Sequence, residues 1–191
     1  MAEILLFHHA LGLTPGVVGF AEALRAAGHD VDTPDLYSGT VFDSIDAGVA
    51  HAESIGFERI AELGATHAER RGQHFVVAGF SLGVLPAQRL AQQHPGVIGA
   101  LLYHSAVPLS VFGGSWPASL PVQIHMGSDD PFAAEDRAAV DELTSVAGAE
   151  LHQYDTAKHL IADPSTGDYE SPLAARLLAR SLEFIADLPK T

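Results

Sequence analysis

The stretch Val76-Val77-Ala78-Gly79-Phe80-Ser81-Leu82-Gly83 constrains this chain more than any other. An apolar run breaks into Gly-x-Ser-x-Gly and then into a helical pattern, which is the signature of a nucleophile elbow. Phe75 to Ala78 reads as a buried strand, and Leu82 to His94 as a helix with Leu85, Arg89, Leu90 and Gln93 on one stripe. Ser81 on the sharp turn between them takes a strained backbone. The residues two before and two after it then come into contact, so Gly79 and Gly83 stand where a Cβ would clash. The serine Oγ is left exposed beside a helix N-terminus, whose free N–H groups and dipole favour developing negative charge. The alternative is a chance motif in a chain with 18 glycines, Ser81 being a simple N-cap. The strand before and the helix after weigh against it.

The rest of the chain alternates strands and helices. Glu3 to Phe7 is a continuous apolar run, as expected of a parallel strand covered on both faces. Thr14-Pro15 opens a helix, with Phe20, Ala23, Leu24 and Ala27 as its buried face and Gly28 as its stop. A short strand at His29 to Thr33 precedes the loop Asp35 to Thr40. Helical spacing returns from Ile45 to Arg71, interrupted near Gly56 and Gly64 and closed by Gly72. Beyond the elbow, Pro95-Gly96 turns the chain into a strand at Val97 to Tyr103. A Pro/Gly/Ser-rich loop, Ser105 to Leu120, carries Val111, Phe112 and Trp116. Strands at Pro121 to His125 and Glu150 to Tyr154 flank a helix at Phe132 to Val146, and a last helix runs from about Pro172 to Leu188. This alternation predicts an α/β protein with a doubly wound, mostly parallel sheet, in one domain over residues 1–191.

Bulk properties narrow the function. At 191 residues, 47% of them apolar, the chain has enough for a proper core. Ten Lys and Arg against 24 Asp and Glu give a net charge of −14, which disfavours nucleic acid and anionic lipid as partners. With no cysteine there is no disulfide framework, thiolate metal site or Cys nucleophile. The N-terminus lacks a secretory pattern and no apolar stretch is long enough to span a bilayer, so a cytoplasmic protein is expected.

In open parallel sheets catalytic groups gather at the carboxyl ends of strands. Here those ends offer His8, His9, Asp35, Ser81, His104, Ser105, Asp129, Asp130 and His159. An activated serine needs a base and a carboxylate to orient it, in the chain order Ser, Asp, His. Asp130 fits the acid, since Gly127 carries the chain through one tight turn before it, while Asp129 fits a turn cap. The bland alternative makes both of them helix caps. His159 follows the last strand and precedes the last helix, as the base should.

Pro34-Asp35-Leu36-Tyr37, Gly79-Phe80-Ser81-Leu82-Gly83, His125-Met126-Gly127-Ser128-Asp129-Asp130 and Ala157-Lys158-His159 together resemble the dienelactone hydrolase family of α/β-hydrolases, over nearly the whole chain. The resemblance implies an α/β-hydrolase fold without the first strands of larger members or a separate cap domain. It also implies a catalytic triad of Ser81, Asp130 and His159. Two departures stand out. The family's best-known members carry Cys in the elbow where this chain has Ser81, which relies on His159 for deprotonation. They also place a Glu early in the first helix, at a position that falls on Gly19, with Glu22 one turn away, and this points away from dienelactone itself as substrate.

The expected chemistry is hydrolysis of a small ester or lactone through an acyl-enzyme, without cofactor. The N–H of Leu82 and one from Ala10 or Leu11 would hold the oxyanion. His8, His9 and His104 are candidates for the pocket, and Phe112 and Trp116 for a cap over it, with packing or a dimer contact as the alternative. A metal held by His8, His9, His104 and His125 is disfavoured, because no pair of ligands falls at helical spacing. The chain is expected to be a monomer or homodimer. An acyltransferase or peptidase with the same triad, and an idle hydrolase fold used for binding, are the rival readings.

Overall fold

The computed structural model describes residues 1–69 and 71–189. Strands β1 (Glu3–Phe7), β2 (Asp30–Asp32), β3 (Phe75–Phe80), β4 (Val97–Tyr103), β5 (Val122–Gly127) and β6 (Glu150–Tyr154) form one sheet in the order β2-β1-β3-β4-β5-β6. Every neighbouring pair is parallel. Six helices complete the fold: α1 (Pro15–Ala26), α2 (Ile45–Ile55), α3 (Phe57–Ala68), α4 (Val84–Gln93), α5 (Pro131–Glu142) and α6 (Ser171–Asp187).

The continuous apolar strands follow from burial on both faces. Side chains alternate along a strand, so Leu5, Phe7, Phe75 and Val77 join one core with residues of α2, α3, α4 and α5. Ile4, Leu6, Val76 and Ala78 join the other with Val17, Phe20 and Leu24 of α1 and Leu177 and Ile185 of α6. Phe75, Val76 and Val77 are fully buried, each contributing roughly 1.5–3 kcal/mol relative to exposure.

This strand order places the reversal of winding between β1 and β3. Crevices for ligands open at the carboxyl ends of strands at such a point. Here the loop after β1 and the elbow after β3 face each other, and the registered pair Phe7 and Gly79 ends the shared ladder.

Several local expectations shift. Gly56, at φ +94°, ends α2 and leads directly into α3, whereas Gly64 breaks nothing. A Cβ on Gly64 would stand 2.2 Å from the Cβ of Pro86, so the glycine lets α3 and α4 approach closely. Leu82 lies in a 3-10 turn, Ser81–Gly83, which moves the start of α4 and rotates its buried face to Val84, Ala87, Leu90 and Ala91. Leu85 and Arg89 are half-buried and Gln93 is exposed. Pro86 falls in the first turn of α4, where an N–H has no helical partner anyway. On α1, Gly16, Val17 and Ala21 join Phe20 and Leu24 inside, while Ala27 is exposed. Strand β2 is shorter than expected. Helix α5 ends at Glu142 and runs into a π-helical turn, Leu143–Ala147.

Candidate active site

The elbow is built as its sequence requires. Ser81 has φ +48°, a left-handed conformation disfavoured for a residue with a side chain. A Cβ on Gly79 would lie 2.1 Å from the carbonyl oxygen of Gly83, and one on Gly83 would lie 2.5 Å from that of Phe7. The turn therefore fits only with glycine at both positions, and it brings Gly83 against the backbone at the end of β1.

From Ser81 a hydrogen-bonded line crosses three loops. Ser81 Oγ lies 2.8 Å from His159 Nε2, and His159 Nδ1 lies 2.7 Å from Asp130 Oδ2. Asp130 accepts from Nδ1–H, which leaves Nε2 as the acceptor facing the hydroxyl. Asp130 and His159 are buried. Asp130 also caps α5, its Oδ1 accepting from the Phe132 N–H at 3.0 Å. One carboxylate thus serves both readings given to it by the sequence. Asp129 is exposed; its carboxylate accepts from the Ser128 hydroxyl at 3.2 Å and its N–H donates to the Thr156 carbonyl at 3.1 Å.

Residues that the sequence did not single out complete the surroundings. Asp168 Oδ2 accepts from the backbone N–H groups of both His159 and Leu160, each at 3.2 Å, and so anchors the loop that carries the imidazole. The Phe132 ring, 39% exposed, packs at 4.5 Å between centroids on the His159 ring. No spacing rule flags either residue, because both contacts are made across loops.

The neighbouring histidines are turned into the protein. His8 donates from Nδ1 to the carbonyl oxygen of His9 at 2.8 Å and accepts the Leu36 N–H on Nε2 at 3.0 Å. Burial lowers its pKa to about 4, against a smaller opposing effect of that hydrogen bond. His9 Nε2 lies 2.7 Å from Asp163 Oδ2, and Nδ1 accepts the Leu11 N–H at 3.3 Å. Burial in the first place, and then the repulsion that two charged rings beside each other would suffer at His159, hold His104 well below the usual histidine range. Its ring stacks on Phe80, at 6.0 Å, and lies 5.9 Å from the His159 ring. Ser105 donates to Asp136 at 2.7 Å. His125 is held between Tyr154 and Gln123, at 2.7 Å to each.

The expected cap is also interior. Trp116 belongs to the core and donates from Nε1 to the Leu120 carbonyl at 2.9 Å. Phe112 is buried, and of the three apolar loop residues Val111 alone is exposed. Gln88 and Gln92 of α4 hold this loop by bonds to the carbonyls of Val107, Leu109 and Ser115. His8, His9, His104 and Trp116 are therefore placed in the scaffold, while Phe112 borders a separate cleft beside Phe57, Leu85 and Arg89. Gly19 is exposed on α1 with open space around it, and Glu22 pairs on the surface with Arg25, so α1 sends no carboxylate toward Ser81.

A cleft of about 410 Å³ opens between the loop after β1 and the loop after His159. Leu11, Phe42, Ile45, Leu160 and Thr166 line it, with Asp43 and Asp168 as its charged groups; no Lys or Arg is among the described residues of its wall. The Phe42 N–H donates to the Leu11 carbonyl at 2.9 Å, tying this wall to the loop after β1. No helix among the described residues is long and apolar enough to cross a membrane.

Known proteins share this arrangement of elements. The sequence model of the dienelactone hydrolase family matches residues 2–188. A carboxymethylenebutenolidase of Rhodococcus opacus is 30% identical over 202 residues, covering 95% of this chain and 79% of that protein. Among solved structures, a dienelactone hydrolase-like promiscuous phosphotriesterase from metagenomic libraries superposes with a TM-score of 0.81 at 20% identity, over 98% of this chain and 87% of the other. A pyrethroid hydrolase superposes with a TM-score of 0.65 at 17% identity, over 98% of each chain. These two share the α/β-hydrolase fold.

Proposed function

The chain belongs to the dienelactone hydrolase family and is a hydrolase; on that premise we propose that it cleaves a small carboxylic ester or lactone with Ser81 as nucleophile, His159 as base and Asp130 as the acid that orients it. A single α/β-hydrolase domain carries the reaction. The observation that supports this reading is the unbroken line Asp130 Oδ2, His159 Nδ1, His159 Nε2, Ser81 Oγ, with gaps of 2.7 and 2.8 Å.

Ser81 Oγ attacks the carbonyl carbon as its proton passes to His159 Nε2, giving a tetrahedral intermediate whose negative oxygen accepts from the N–H groups of Leu82 and Ala10. Asp130 stabilises the imidazolium. The carbon–oxygen bond to the leaving group breaks, and Nε2 returns the proton to the departing alkoxide. Water, deprotonated by Nε2, then attacks the acyl-serine, and collapse of the second intermediate releases the acid and restores the hydroxyl. Of the two candidates for the second oxyanion donor, Leu11 is already engaged by His9, which favours Ala10.

The cleft bounded by Leu11 and Leu160, residues that adjoin the proposed oxyanion donor and His159 in the chain, is the proposed site for an uncharged acyl or alcohol group. The test is a fluorophosphonate probe together with a panel of activated esters and lactones. Wild type should be labelled and turn over esters, and Ser81→Ala should do neither. A native protein that resists labelling and leaves the whole panel intact would sink the assignment in favour of a binding module. Amide cleavage or transfer to an added nucleophile that outruns ester hydrolysis would favour a peptidase or acyltransferase.

A further inference from the structure

The loop after β1 holds two adjacent, fully buried histidines whose four ring nitrogens are all occupied, and none of them faces Ser81. Their partners assign opposite tautomers. His8 donates from Nδ1 and accepts on Nε2; His9 donates from Nε2 to Asp163 and accepts the Leu11 N–H on Nδ1.

These bonds fix two successive peptide planes. The His9 carbonyl accepts from His8 Nδ1 at 2.8 Å and from the Gly12 N–H at 3.0 Å. In a trans peptide the N–H of the next residue points the opposite way, so the Ala10 N–H is turned away from those donors. The following peptide is held from both sides. A Cβ on Gly48 of α2 would stand 2.2 Å from the Ala10 carbonyl oxygen, and the Leu11 N–H faces His9.

The His9 bond reaches further. Asp163 lies in the loop after β6 that also carries His159, and its Oδ2 also accepts from the Thr14 hydroxyl at the cap of α1, at 2.5 Å. Its Oδ1 accepts from the Ser165 N–H at 2.6 Å. A buried charge-assisted bond of 2.7 Å therefore joins the loop bearing the oxyanion donor to the loop bearing the base.

Resting on the serine-hydrolase reading, we propose that His9 and Asp163 are positioning residues that aim the Ala10 N–H at the oxyanion and hold that loop in register with His159. They touch no substrate. Such a pair acts on the geometry of the transition state more than on the binding of the ground state.

The experiment is steady-state hydrolysis of p-nitrophenyl butyrate by wild type, His9→Phe, His9→Gln and Asp163→Asn, with thermal melting of each. His9→Phe fills the space without the bond, and kcat should fall about ten- to a hundredfold while KM changes less than about threefold. His9→Gln restores a donor toward Asp163 and should recover kcat to within about fivefold of wild type. Should His9→Phe not fold, Asp163→Asn still decides. Its one carbonyl oxygen cannot occupy both acceptor positions, so kcat should drop about three- to tenfold with KM held. The inference is overturned if His9→Phe keeps kcat within twofold, if kcat is lost only together with a matching rise in KM, or if His9→Gln is no better than His9→Phe. When His9→Phe does not fold, an unchanged kcat in Asp163→Asn overturns it. A wild type that neither labels with fluorophosphonate nor hydrolyses the ester overturns the underlying reading as well.

Discussion

Asp130 binds His159 with one carboxylate oxygen and the first turn of α5 with the other, at 2.7 Å to Nδ1 and 3.0 Å to the Phe132 N–H. Orientation of the imidazole and capping of a helix are thus two duties of one side chain. Replacing it should show in two independent measurements. If the proposed triad operates, Asp130→Ala should lower kcat by about four orders of magnitude, as loss of an orienting acid does in serine hydrolases. The same variant should lose about 0.5–2 kcal/mol in urea denaturation from the missing cap. Asp130→Asn keeps a capping oxygen, so it should recover the stability and not the rate. Equal recovery of both would contradict the division of duties.

Glycines at different depths should respond in opposite directions. Gly48→Ala drives a methyl group into the Ala10 carbonyl, where the space is 2.2 Å. It should destabilise by about 1–3 kcal/mol and reduce kcat, because the displaced peptide neighbours the proposed oxyanion donor. Gly19→Ala meets open space on the exposed face of α1. It should stabilise by about 0.5–1 kcal/mol and leave kinetics alone. Melts and initial rates on the two variants check the contrast.

Acid should weaken the fold well before the carboxylates as a class titrate. His8 is held at about 4 by burial, so below pH 6.5 the unfolded chain takes up a proton that the folded chain refuses. The stability present above pH 6.5 is then lost as pH falls, by about 3 kcal/mol at pH 4 from this residue alone. His104 and His125, pushed far down mainly by burial, add in the same direction. Asp163 joins at lower pH: burial raises it, but hydrogen bonds from His9, Thr14 and Ser165 lower it more, so its contribution disappears as pH falls through its folded value. Asp136, raised by burial, opposes this trend. Urea midpoints between pH 7 and pH 4 should decline steadily, and a flat profile would contradict the assignment of neutral buried histidines.

Charge in the cleft should select substrates. With Asp43 and Asp168 on its wall and no Lys or Arg among its described residues, a neutral ester is favoured over one bearing a second carboxylate. The half-ester of a dicarboxylic acid should show kcat/KM at least about tenfold below a neutral ester of equal length, a difference of roughly 1.4 kcal/mol. Asp43→Lys should narrow the gap. Equal rates on both esters would exclude this cleft as the acyl site.

Strands β1 and β4 are legible because they are buried on both faces, whereas β6 is an edge strand that exposes Glu150 and Gln153. The runs Glu3–Phe7, Val97–Tyr103 and Glu150–Tyr154 coincide with β1, β4 and β6. The three residues linked by chain order, Ser81, Asp130 and His159, lie within hydrogen-bond distance in sequence-distant loops. What pattern and order do not carry is contact between loops. Asp163 and Asp168 sit in an aperiodic segment, and Gly48 looks like any glycine in an amphipathic helix until the backbone it faces is known. His8 and His9 were placed at the right strand end, but a sequence does not tell which side of a loop an imidazole takes. Spacing counted from Leu82 misphases the buried face of α4, because the 3-10 turn at Ser81 delays the helix to Val84.

Phe132 leans on the His159 ring while its own N–H is bound by the acid that steers that ring. The first turn of α5 thus touches both the imidazole and the carboxylate that binds it. A smaller side chain at 132 would keep that backbone bond and uncover only the imidazole, so burial of His159 and the grip on Asp130 are set by different parts of one residue.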